Sequence, residues 1–163
     1  MQSQYWSIDR LPGLMLPEQK LLKSEGIEDT QELLNRTKTL QSKQSLASKL
    51  KLNQKHLNKW VVLADLARIP SVGDRYCGLL LHAGIASVAQ LAQIPFYRLH
   101  RQVVRLQVAT LQRKDLAPTL EQVKRWVEEA KVMSNNRPMR MNDKLIFITY
   151  YLLPTTYYFL VNS

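Results

Sequence analysis

The chain has 163 residues, a formal net charge of +10 and a single cysteine. This length suits about one domain with a real core, and one cysteine excludes an internal disulfide and points to a reducing, intracellular setting. Met1 to Ser7 lacks the basic-then-apolar pattern of a secretory signal, so the expected location is cytoplasmic.

In chain order the first punctuation is Leu11-Pro12-Gly13-Leu14. The proline ends any preceding helix, and the small residue after it lets the backbone turn tightly. A helix containing Leu21-Leu22 follows, and Gly26 stands where it should stop, in the left-handed position that glycine adopts most cheaply. Asp29 or Thr30 then offers the cap of a further helix. The same arrangement returns as Ile69-Pro70-Ser71-Val72, Leu79-Leu80, Gly84-Ile85 and Ser87, at a constant offset of 58 residues. Each copy also ends alike, in helices carrying Leu57, Trp60, Val61 and Ala64, and Val123, Trp126, Val127 and Ala130. There the offset is 66, which places eight extra residues of the second copy between Gln107 and Pro118. Trp60 and Trp126 lie on apolar stripes and read as core anchors rather than as base-stacking residues.

Apolar-Pro-Gly-apolar-Gly followed by a small residue is the form of the helix-hairpin-helix motif, which both copies resemble. The second copy has Ile69-Pro70-Ser71-Val72-Gly73 with Cys77 in the small-residue slot, and the first has Leu11-Pro12-Gly13-Leu14-Met15 with Gln19 there. Each copy lacks one of the two glycines. Residues 8 to about 132 further resemble a cyanobacterial family of unknown function built from paired helix-hairpin-helix units, through Leu66 to Gly73 and the Arg125-Trp126-Val127 helix. The resemblance implies an all-α fold of two tandem degenerate repeats packed as one domain, residues 1–66 and 67–133, and the Ser134-Asn135-Asn136-Arg137-Pro138 stretch with the apolar run after it reads as a linker and apolar tail over 134–163. It also implies that Ser71, Gly73 and Arg75 mark where a phosphate would meet the second hairpin. In the first hairpin Pro17 lacks an amide hydrogen and Glu18 has the wrong charge, so that copy reads as structural.

The positive charge is unevenly placed. Residues 1–34 carry a net −3, residues 35–60 seven basic and no acidic side chains, and residues 93–117 a net +4. Lys55 and Lys59, with Lys51 across a break at Asn53, and Arg98, Arg101 and Arg105 after Pro95, fall at helical spacing. Such stripes fit a polyanion whose phosphates they would neutralise, and equally the solvated face of a helix.

No catalytic, cofactor or metal site is read. His56, His82 and His100 lack ligand-spaced neighbours, His82 reads as an interior or boundary residue, and Cys77 as a small buried hydrophobe. The tail segment Leu145 to Val161 is uncharged and apolar, is preceded by Arg137, Arg140 and Lys144, and is interrupted by Pro154. A membrane anchor, a β-hairpin and a strip folded on the domain all remain open for it. The expected function is a non-catalytic module binding nucleic-acid backbone, DNA ahead of RNA, through Lys55, Lys59, Arg98, Arg101 and Arg105, with the Ser71–Gly73 hairpin as an amide contact. The alternative is a protein-interaction scaffold that meets acidic partners and associates with a membrane through the tail.

Overall fold

The structure, a computed structural model, describes residues 2–111 and 117–135. Among these the regular structure is helical, without a strand: a 3-10 turn at Ile8–Arg10, then α1 (Leu16–Ser24), α2 (Thr30–Arg36), α3 (Leu40–Lys49), α4 (Gln54–Ala67), α5 (Gly73–His82), α6 (Val88–Leu91), α7 (Phe96–Leu111) and α8 (Leu120–Ser134). The fold is therefore all-α.

Local chemistry sets most of these boundaries. Gly26 ends α1 at φ +75°, where its N–H donates to the Lys23 carbonyl at 2.9 Å and Ile27 N–H to the Leu22 carbonyl at 3.0 Å. Gly84 ends α5 at φ +88°, with the matching bonds to Leu81 at 3.0 Å and Leu80 at 2.9 Å. Both stops satisfy carbonyls that a helix end leaves orphaned. The next helix is then capped by a side chain in each place, Asp29 accepting from Glu32 N–H and Ser87 from Gln90 N–H. Asp29 takes the cap because Thr30 is buried and accepts the Trp6 amide at 3.0 Å. α3 ends differently, with Lys51 itself left-handed at φ +52°. Lys51 therefore sits in a turn rather than on the face of α4 with Lys55 and Lys59.

One apolar cluster runs through both halves. α4 packs against α2 and α3 and most extensively against α5, while α8 packs against α6 and α7. Trp60 and Trp126 are each 1 % exposed, so both are core residues. The residues ahead of the first hairpin tie the halves together. Gln4 N–H donates to the Arg68 carbonyl at 2.9 Å, the Trp6 indole to the Ala67 carbonyl at 2.9 Å, and Arg10 pairs with Asp74 at 2.7 Å. Pro12 lies against Gly78 at the start of the same contact. The 66/67 division thus falls at the end of α4, inside a shared core.

His82 is exposed rather than interior, because it projects from α5 on the side opposite the buried Cys77 and Leu80. α7 has 16 residues against 10 in α3, so part of the extra length expected near Gln107 to Pro118 extends this helix, and residues 112–116 lie outside the described part. The apolar tail also lies outside the described residues. Among those described, no helix is long and apolar enough to cross a membrane.

Candidate functional site

The hairpin over 69–73 is held from within. The Ser71 N–H and hydroxyl both donate to Glu129 Oε2, at 2.9 and 2.7 Å, and the Ser71 carbonyl accepts from the Trp126 indole at 3.0 Å. Gly73 is buried at φ +55° with its N–H on the Ile69 carbonyl at 2.9 Å. A Cβ there would come within 3.2 Å of the Trp6 ring. A carboxylate of the chain itself therefore occupies the donors that a phosphate would use, and an aromatic ring closes the other side. Asp74, whose charge would oppose an anion, is offset by Arg10. Of the three residues expected at this contact, Arg75 alone is open, its guanidinium 5.1 Å above the Tyr76 ring.

The first hairpin is closed in another way. Met15 N–H donates to the Glu18 carboxylate at 2.9 Å, and Pro17 occupies the first turn of α1. The helix start that would face an anion is thus capped by an acid from the same turn. Lys59 leans toward this hairpin, its ammonium 3.6 Å from the point where a Gly13 Cβ would stand.

The basic helices present a different surface. Pro95 precedes α7 and accepts from the Arg98 and Leu99 amides at 2.9 and 3.1 Å, which starts the helix directly. Leu99 and Val103 are fully buried. Arg98, Arg101 and Arg105 project from the opposite side, and all three are exposed. No acidic residue occurs between Phe96 and Leu111. Four cations elsewhere are neutralised: Arg10, Lys23, Lys49 and Arg68 meet Asp74, Asp9, Glu25 and Asp65 at 2.6–2.8 Å. None of Arg98, Arg101 and Arg105 makes such a pair among the described residues. Lys55 and Lys59 are exposed on α4, whose start is capped by Asn53 accepting the Lys55 amide at 2.9 Å. α5 packs against both α4 and α7, so the lysines and arginines form two rows on different helices.

Two contributors escaped the sequence. Glu129 follows Trp126 by three residues, which puts it on the helix side that faces the hairpin, but nothing local marks the pairing. Tyr97, 59 % exposed, stands one turn before Arg101.

The remaining chemistry is sparse. Burial pushes the Cys77 thiol up to about 11, which keeps it protonated and unreactive at neutral pH. Among the described residues no three His, Cys, Asp or Glu side chains stand close enough together to hold a metal ion. A depression of about 240 Å³ along α8, lined by Glu121, Gln122, Lys124, Arg125 and Glu128, has charges of both signs and no apolar wall.

Residues 12–133 match the family described as a domain of unknown function, DUF4332. The chain belongs to this family. The DUF4332 segment starts at the first hairpin proline and ends at Met133, the last buried residue of α8. Trp6 and Arg10, which close the second hairpin, lie ahead of it. No curated protein and no solved structure matches the chain.

Proposed function

We propose that this DUF4332 chain is a non-catalytic module that binds nucleic-acid backbone without sequence specificity, DNA ahead of RNA, in the cytoplasm. The observation that carries this reading is the row of Arg98, Arg101 and Arg105 on the solvent side of α7, unaccompanied by any acid on that helix. Three cations on one helix face cost free energy through mutual repulsion, and a polyanion reverses that cost while releasing its counterions. Lys55 and Lys59 supply a second row. Two degenerate helix-hairpin-helix units, 1–66 and 67–133, fit the paired glycine stops and side-chain caps 58 residues apart. In this reading both hairpins are structural, because Glu129 fills the second and Glu18 caps the first. The helices behind them make the contact, with Arg75 at the flank. No cofactor or metal takes part.

Equilibrium binding of the full chain to random-sequence duplex DNA at low salt tests this directly. The double variant Arg101→Glu with Arg105→Glu keeps the fold, since both side chains are exposed, and is expected to lose at least about tenfold in affinity. Unchanged affinity overturns the proposal.

A protein-interaction scaffold is the second reading. It is favoured by Met15 and Leu16, exposed 66 % and 70 % beside each other at the first hairpin, since large apolar side chains left together at a surface often mark a protein contact. Absence of any DNA affinity at low salt, with association lost on replacing both by serine, would select it.

A further inference from the structure

Tyr97 gives the α7 face a second chemistry. Its ring meets the Phe96 ring edge-on, with centroids 5.9 Å apart and planes at 81°. Phe96 in turn packs on the core. The Tyr97 ring is thus held from beneath while 59 % of the residue stays open to solvent. Arg101 follows at i+4 and Arg105 at i+8, on steps of about 6 Å along the axis, comparable with the spacing of successive phosphates on an extended strand. Arg98 lies beside the ring in sequence. An aromatic platform with guanidinium groups at one-turn intervals is the combination that single strands require: stacking on an unpaired base, with cations tracking the backbone. An intact duplex gains less from the ring, because its bases already stack on one another and must be unstacked before a ring can enter.

We infer that the α7 face binds single-stranded DNA in preference to duplex, with Tyr97 stacking on one base and Arg101 and Arg105 holding the phosphates that follow. This rests on the nucleic-acid reading above and narrows it. Arg98 flanks the contact on the same side of the helix, and the exposed Val108 lies beyond Arg105 at the far end of the row. The preference arises from Tyr97 alone, since the arginines serve either form.

Affinities of the full chain for a mixed-sequence single strand and for its duplex, measured at one low salt concentration, separate the outcomes. The single strand is expected to bind more tightly. Tyr97→Ala should lose about tenfold in single-strand affinity while leaving duplex affinity within about twofold, and Tyr97→Phe should restore the preference, since its ring stacks without the hydroxyl. Thermal unfolding of both variants controls for folding. Equal affinity for the two forms, or single-strand affinity unchanged in Tyr97→Ala, overturns the inference and leaves the nucleic-acid reading standing. Absence of binding to either form overturns both.

Discussion

Glu129 decides what the second hairpin can do. One carboxylate oxygen accepts both the Ser71 amide and the Ser71 hydroxyl, while Trp126, three residues earlier on α8, donates to the Ser71 carbonyl. These are charge-assisted bonds in a half-buried place, where losing the acceptor leaves two donors unpartnered. Glu129→Ala is expected to destabilise the fold by about 1–3 kcal/mol, and Glu129→Gln by less, because the amide oxygen still accepts. Urea unfolding of the three proteins checks the order. Ser71 and Gly73 were legible in the sequence as a hairpin but not as a closed one, because Glu129 and Trp6 reach them from 58 and 67 residues away along the chain. Periodicity and capping describe neighbours on one element, and they carry no information about which distant side chain fills a turn. Arg98, Arg101 and Arg105 were legible for the converse reason. Their exposure follows from the apolar positions Leu99 and Val103 on the other side of the same helix.

Element boundaries came through most clearly where glycine and a side-chain cap coincide. Gly26 and Gly84 stop α1 and α5 in the left-handed region, each followed by a capped helix. The end of α3 gave no comparable signal, since Lys51 takes the left-handed position against its preference and is held there by Leu52 N–H on the Ala47 carbonyl at 2.9 Å. The glycines also differ among themselves. No atom stands within 4 Å of a Cβ added at Gly26 or Gly84, whereas one at Gly73 meets Trp6 at 3.2 Å. Alanine at Gly26 or Gly84 is therefore expected to cost only the backbone term, about 1–2 kcal/mol. Gly73→Ala should cost more than either, because the Trp6 ring must give way as well. Melting temperatures of the three single variants test that ranking, and equal losses would show that the ring yields freely.

At the scale of the molecule, residues 4–12 bind the two halves into one unit through Arg68, Ala67, Asp74 and Gly78. α4 buries Leu63, Leu66 and Ala67 in the cluster shared with α5. Residues 1–66 expressed alone are accordingly expected to lack a stable fold, with far-ultraviolet circular dichroism showing little helix and no cooperative melt. A cooperatively folded fragment would show instead that the first half is independent. The charge distribution also belongs to this scale. The chain is acidic over residues 1–34 and strongly basic over 35–60 and 93–117, and its ion pairs neutralise cations around the hairpins while leaving the α7 row open. That row is where a polyanion would act, and the salt dependence of duplex DNA binding reports it most directly. If Arg98, Arg101 and Arg105 each neutralise a phosphate, the logarithm of affinity falls against the logarithm of salt concentration with a slope of about −3 or steeper, and Arg101→Glu with Arg105→Glu makes it shallower by about 2. A slope near zero, or one the double variant leaves unchanged, contradicts the assignment of this face to nucleic acid.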